Sequence, residues 1–169
     1  MDQATVQTFG APAIDAAVRY GIQALHIDYA HSLDDIQIDK WPRFFTDDGV
    51  YRLTTRENMQ ANLPIGIVHC IGRGMMEDRV KAFHTANIFE PHVYNHLIGP
   101  ADIVPLTEGG FQVRSNFQVV RTMESGRMDL YAVGHYDDVV VVEGDSLLFK
   151  ERVVVIDSRD VDILLVIPL

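Results

Sequence analysis

Residues 75–99, MMEDRVKAFHTANIFEPHVYNHLIG, gather side chains that do acid–base and metal chemistry: His84, His92 and His96 with Glu77, Asp78 and Glu90. His92 and His96 stand four apart, a spacing that aligns two side chains on a helix face and, four being even, on a strand face as well. Pro91 and the surrounding Val93, Tyr94, Leu97 and Ile98 favour the strand, and no Glu follows His92 as the helical zinc-protease motif requires. Two imidazoles on one strand face suit hydrogen bonding in the fold or at an interface better than metal binding. His135 and Asp137, two apart, also share a strand face. They form the best acid–base pair if the sheet lines a pocket, because a carboxylate can orient an imidazole. Polar contacts at a surface or interface are the simpler reading of that pair.

The remaining motifs carry less. His69 and Cys70 are adjacent, so in a strand they point to opposite sides, and a buried inert thiol is expected instead of an activated pair. Gly72-Arg73-Gly74 lacks the Lys-Ser/Thr that completes a phosphate loop, and no Gly-x-Ser-x-Gly elbow occurs. Asp78 with Arg79, and Glu151 with Arg152, read as salt bridges on solvated or interface surfaces. Cys70 is the single cysteine, which excludes a Cys₂ or Cys₄ cluster or an intramolecular disulfide within the chain.

Positioning these residues falls to a few periodic segments. Ile14, Val18, Ile22, Leu25, Tyr29 and Leu33 recur every three or four residues and mark one face of an amphipathic helix. A short helical piece is expected at 39–45, ended by Thr46-Asp47-Asp48-Gly49, followed by a strand at 50–55. Residues 58–74, with Pro64, Gly66, Gly72 and Gly74, read as irregular, and a third helix fits 75–85. After Pro91 the texture turns to β-type runs separated by Glu108-Gly109-Gly110, Ser125-Gly126 and Glu143-Gly144-Asp145, which implies an antiparallel meander. In 111–123 the apolar Phe111, Val113, Phe117, Val119 and Met123 alternate with polar residues, giving one wet face. In 130–142, Tyr131, Val133, Val139 and Val141 oppose Leu130, Ala132, Val140 and Val142, and 147–156 is likewise apolar on both sides. Two or three short helices cannot cover both faces of a long sheet, so a protein partner or a ligand cavity is expected on the other, unless a curved sheet covers itself.

At 169 residues the chain suits one domain, 1–169, with one core. A net charge of −10 without a basic stripe argues against nucleic acid. The N-terminus lacks the basic and apolar regions of a secretory signal, and runs such as 139–142 and 163–168 are too short to cross a bilayer, so a soluble cytoplasmic protein is expected, without a membrane partner.

Several blocks coincide in order and spacing with one family. They are Trp41-Pro42-x-Phe44-Phe45, Tyr51-Arg52-Leu53-Thr54, Met76-x-Asp78-Arg79, Ala86-Asn87-Ile88-x-Glu90-x-His92-x-Tyr94-x-His96, Lys150-Glu151-Arg152-Val153-Val154 and Asp157-Ser158. Together they resemble the small (β) subunit of aromatic-ring-hydroxylating, Rieske-type dioxygenases, most closely those serving aromatic acids such as salicylate, terephthalate or anthranilate. The resemblance runs from the first helix to the C-terminus. It implies an α+β, cone-shaped NTF2-like fold, with N-terminal helices packed on a long, strongly curved antiparallel sheet. It also implies an α₃β₃ hexamer containing a trimer of this chain, with a large (α) subunit that carries the Rieske 2Fe–2S cluster and mononuclear iron. Electrons would arrive there from a reductase and ferredoxin. No catalytic, cofactor-binding or metal residue is then expected in this chain, which agrees with its single cysteine. The alternative is a stand-alone small-molecule isomerase or dehydratase on the same cone, using His135 and Asp137, or His92 and His96, as acid–base groups.

Overall fold

Asp15 starts the first helix: its carboxylate accepts the Ala17 backbone N–H at 2.9 Å, and α1 follows over Ala16–Asp34. The computed structural model describes residues 14–63, 66–85, 90–158 and 167–169. The periodic face is the buried one, with Ile22, Leu25, Tyr29 and Leu33 in the core and Ile14 and Val18 packed against it. That face is wider than the apolar period suggests, because His26, Ala30 and Ser32 are buried too.

The piece expected at 39–45 is a 3-10 helix, Ile38–Phe44, which buries Trp41 and Pro42. Strand β1 then spans Phe45–Thr55 and takes in Thr46-Asp47-Asp48-Gly49, which the sequence reads as a turn. The reason is a register break between Phe45 and Val50 that accommodates these residues inside the strand. Gly49 is needed there, since a Cβ would lie 2.9 Å from the Thr46 carbonyl oxygen and 3.2 Å from that of Phe149. Residues 58–74 are more ordered than expected. A single helical turn, α2 (Arg56–Gln60), is capped by the Thr55 hydroxyl accepting from Asn58 N–H, and β2 (Val68–Ile71) pairs with β1. Elements of five and four residues are too short to generate a period. Pro64 lies outside the described residues. The helix α3, Arg73–Thr85, buries Met76 and Val80, with Phe83 against the core.

The meander follows as the turn glycines imply: β3 (His92–Ile98), β4 (Asp102–Pro105), β5 (Phe111–Met123), β6 (Met128–Glu143) and β7 (Ser146–Ile156). The sheet order is β2-β1-β7-β6-β5-β3, with β4 also on β5, and the sheet does not close. All neighbours are antiparallel except β1 and β7, which run parallel, Tyr51 opposite Arg152. Bulges at Tyr131 in β6 and Lys150 in β7 increase the twist of the long strands. The bulge at Tyr131 also reverses the alternation read from the sequence. Tyr131 turns inward to stack on Tyr94, with ring centroids 5.0 Å apart, while Leu130 goes outward opposite Val120.

α1, α3 and the 3-10 helix pack on the inner side of the sheet, and α2 packs against β1 and β7. A knot of polar atoms closes the inner end. Tyr29 Oη donates to the Leu169 carbonyl at 2.9 Å and accepts from Trp41 Nε1 at 3.2 Å. Tyr51 Oη accepts the Leu169 N–H at 3.1 Å. Of the apolar run 163–168, residues 163–166 lie outside the described residues, while Ile167 is buried.

Gly134 lets β6 and β7 meet at the centre of the sheet, because a Cβ there would fall 2.0 Å from the Val155 carbonyl oxygen. Gly134→Ala should therefore cost about 3 kcal/mol by overpacking. Gly126→Ala, in an open turn at φ +84°, should cost only about 1 kcal/mol of left-handed strain. Urea unfolding of the two variants measures the difference, and equal losses would show that the strands can part.

Candidate functional site

The alternation of β6 and β7 delivers Asp138 and Arg152 to the same inward position, directly opposite one another. Arg152 donates from Nε to Oδ1 at 3.0 Å and from Nη2 to Oδ2 at 2.8 Å, a bidentate pair with no exposed side-chain surface. His26 approaches from α1, its Nε2 3.1 Å from Asp138 Oδ2 but poorly directed for a hydrogen bond, and its Nδ1 3.5 Å from Ser115 Oγ. The guanidinium carbon lies 4.1 Å from the ring centres of Tyr29 and Tyr136 and 3.9 Å from that of Phe149. Tyr136 in turn stacks on Phe117 at 4.3 Å.

Burial lowers the affinity of the His26 ring for a proton by more than Asp138 raises it, so the imidazole is held below its usual range and stays neutral. Burial would raise the Asp138 carboxyl, but Arg152 and His26 outweigh that and hold it below the ordinary carboxylate value. Burial pushes the Tyr29 hydroxyl up to about 12 and takes those of Tyr51 and Tyr136 well above their normal range. The cluster is thus one anion and one cation locked together, roofed by protonated phenols and a neutral imidazole, and it fastens α1 to β6 and β7.

Sequence reasoning places Arg152 on a surface with Glu151, and the structure corrects this. Counted back from the β6–β7 turn, Asp138 would face Glu151, and the extra residue at Lys150 shifts the register by one so that Arg152 arrives instead. His26 carries no signal beyond its place on the apolar stripe, three residues before Tyr29.

The histidines that opened the sequence reading do share a strand face. His92, Tyr94 and His96 alternate inward along β3, where His92 Nδ1 donates to the Glu90 carbonyl at 2.8 Å. His96 Nδ1 lies 2.5 Å from Asp34 Oδ1, and its backbone N–H donates to Asp34 Oδ2 at 3.0 Å, clamping β3 to the last turn of α1. His84 instead meets Asp39 at 3.2 Å on the surface, and Asp78 pairs with Lys81 rather than Arg79. Residues 86–89 lie outside the described residues. Among the described residues, no three His, Cys, Asp or Glu side chains converge as metal ligands. Cys70 faces the core opposite Tyr51 and burial pushes its thiol up, while His69 lies on the other face opposite Arg52. Arg73 reaches Asp47 at 2.6 Å and the Phe45 carbonyl, tying α3 to β1.

The outer face of the sheet is where polar and apolar groups are presented. Directly paired residues share a face, so the registers define rows across the strands: Val93–Thr122–Met128, Asn95–Val120–Leu130 and Leu97–Gln118–Val133. Leu97 is 60% exposed and Leu130 61%, with Met128 and Val93 also open. The next rows are polar: Asn116 opposite His135, then Arg114 opposite Asp137. His135 Nε2 is 3.3 Å from Asp137 Oδ2, and Arg114 Nη1 is 3.7 Å from Asp137 Oδ1. The expected acid–base pair therefore forms, but on the side of the sheet away from the helices and the core. Beside it an open cleft of about 450 Å³ runs between Leu97, Gln118, Val133 and the Arg56–Asp157 ion pair. Further along, Thr54, Val153 and Val155 are buried although outward-facing, where α2 lies against β1 and β7.

Helices on the inside of an open, curved sheet with a sealed charged core define an NTF2-like cone whose presented surface is its outer sheet face. The family described as Ring hydroxylating beta subunit matches residues 29–162, and the chain belongs to that family. It is 36% identical to the anthranilate 1,2-dioxygenase small subunit of Burkholderia cepacia, over 92% of this chain and 96% of the relative. It is 34% identical to β subunit 1 of the terminal oxygenase component of terephthalate 1,2-dioxygenase of a Comamonas species, over 88% of this chain and 96% of the relative. Among solved structures it superposes with a TM-score of 0.83 and 30% identity on a protein of Novosphingobium aromaticivorans assigned as the β subunit of an aromatic-ring-hydroxylating dioxygenase. That match covers 90% of this chain and 97% of the other.

Breaking the buried pair should expose its coupling. Asp138→Leu or Arg152→Met alone should cost about 3–5 kcal/mol by stranding the partner's charge, and the double variant should recover most of that loss. Urea denaturation of all four proteins tests this, and additive losses would contradict it. Stability should also depend on pH through His26. The unfolded imidazole takes its proton near about 6.5 and the folded one only at lower pH, so stability declines as pH falls below about 6.5. His26→Gln should reduce the pH dependence of the urea midpoint there, leaving the contribution of His135, whose pKa burial also lowers.

Proposed function

We propose that this chain is the non-catalytic, single-domain small subunit of a multicomponent Rieske non-haem iron oxygenase that hydroxylates an aromatic acid with O₂. The observation that carries the reading is the outer sheet face. Exposed Leu97 on β3 and Leu130 on β6 stand in adjacent rows that cross three strands, beside a row of paired charges, on a family member whose inner face is packed by helices. Solvent gains nothing from such a surface, whereas a permanent subunit interface, larger and more apolar than a transient one, would bury it. The relatives named as small subunits of anthranilate and terephthalate dioxygenases support an aromatic acid as the substrate class.

In this reading the chain forms the trimer of an α₃β₃ hexamer and holds the large subunits in register. The large subunit carries the 2Fe–2S cluster and mononuclear iron, receives electrons from a ferredoxin and reductase, and works in the cytoplasm. A single cysteine accords with a Rieske cluster housed elsewhere. No helix among the described residues is long and apolar enough to cross a membrane.

Co-expression with a large subunit bearing a Cys-x-His…Cys-x-x-His Rieske pattern should yield a single complex. Leu97→Lys combined with Leu130→Lys should weaken that complex by at least about tenfold while changing the stability of the chain by less than about 1 kcal/mol, as expected for exposed positions. A chain that stays monomeric and never associates would overturn the proposal. So would turnover of a small molecule by the purified chain that is lost on replacing His135 or His92.

A further inference from the structure

A second concavity lies on the helix side of the molecule, between α1 and the connection from β3 to β4. It encloses about 320 Å³, at the small end of the roughly 300–1,000 Å³ typical of ligand sites, and so suits a molecule of one ring. Its walls are apolar where Ile27 faces Ile98, Pro100 and Ile103, and its polar groups come from α1 alone. Arg19, Gln23 and His26 follow one another at spacings of four and three, and so form a stripe along one side of the groove.

Arg19 has a charge that the fold leaves unmatched, whereas both ring nitrogens of His26 face the fold, Nε2 3.1 Å from Asp138 Oδ2 and Nδ1 3.5 Å from Ser115 Oγ. Arg19 is exposed and has no ion-pair partner among the described residues, in a chain where 24 Asp and Glu outnumber 14 Lys and Arg. An unmatched cation at an apolar groove in so acidic a protein complements an anion. His26 is only 3% exposed, yet it lines the groove, and its ring connects that space to the Asp138–Arg152 pair behind it. Seven residues of helix separate the arginine from the histidine, about 10 Å along the axis. A single ring carrying a carboxylate fits that interval once the arginine stem folds inward.

We propose that this groove binds a small single-ring aromatic carboxylate. The carboxylate meets Arg19 and Gln23, the ring lies between Ile27 and the Ile98–Ile103 wall, and the far edge of the ring approaches His26. The site consists of this chain's own residues and stands whether or not the chain acts within an oxygenase.

The test is titration of the full-length chain with anthranilate, benzoate, benzamide and inorganic phosphate, following the His26 ring resonances by NMR. Anthranilate and benzoate should give saturable shifts. Benzamide, which keeps the ring without the charge, and phosphate, which keeps the charge without the ring, should each bind at least about tenfold more weakly. Arg19→Gln removes one charge-assisted contact from an exposed helix position and should weaken benzoate about tenfold or more. Ala101→Phe should fill the groove and abolish the shifts. The proposal is overturned if no saturable shift occurs, if benzamide or phosphate binds as well as benzoate, or if Arg19→Gln leaves the benzoate curve unchanged.

Discussion

Arg152 carries a full positive charge on the inner face of the sheet with none of its surface in water, and most of the architecture can be read as the conditions that make this tolerable. The charge needs an anion in bidentate geometry, and Asp138 provides it only if β6 and β7 pair in the bulged register. Its flat faces need aromatic rings, supplied by Tyr29 on α1, Tyr136 on β6 and Phe149 on β7. The remaining carboxylate edge meets His26, again from α1. A buried pair is poor evidence of net stability, since desolvation offsets much of the attraction, but it penalises any arrangement that separates its partners. The helix and both strands are therefore mutually specified.

The same interior explains why the chain's polar chemistry is divided between two sides. Inside, Arg152 is matched by Asp138 and the phenols of Tyr29, Tyr51 and Tyr136 are held protonated, which makes a rigid plug. Outside, the sheet keeps a leucine-bearing patch and an Arg114–Asp137–His135 row that makes only long contacts. Membership of the ring-hydroxylating β-subunit family fits a protein whose interior preserves shape and whose exterior is presented to others.

Much of the scaffold was legible because its signals are local. The three-four spacing from Ile14 to Leu33 marked the buried face of α1, the alternation from Phe111 to Met123 marked the inner face of β5, and three glycine-bearing turns marked the meander. His92 and His96 were placed on one strand face by parity alone, and they lie there. Short elements escaped: α2 and β2 span five and four residues, less than any period needs to repeat. The strand β1 also began earlier than its turn-like residues suggested, since a bulge can hold Asp47, Asp48 and Gly49 within a strand.

By itself the sequence determined the class of fold, the absence of an intramolecular disulfide and the family, because these follow from periodicity, composition and the order of short motifs. Tertiary structure alone decided which charges are buried. A bulge adds one residue to one strand, leaves no mark in composition, and turns every side chain beyond it to the opposite face. Through the bulge at Lys150, Arg152 exchanged a surface beside Glu151 for the centre of the core, and through the one at Tyr131, Tyr131 and Leu130 traded sides. The parallel pairing of β1 with β7, and the burial of His26 against Asp138, join residues about a hundred positions apart. No local pattern encodes such contacts, since they form only when the whole sheet has curved around the first helix.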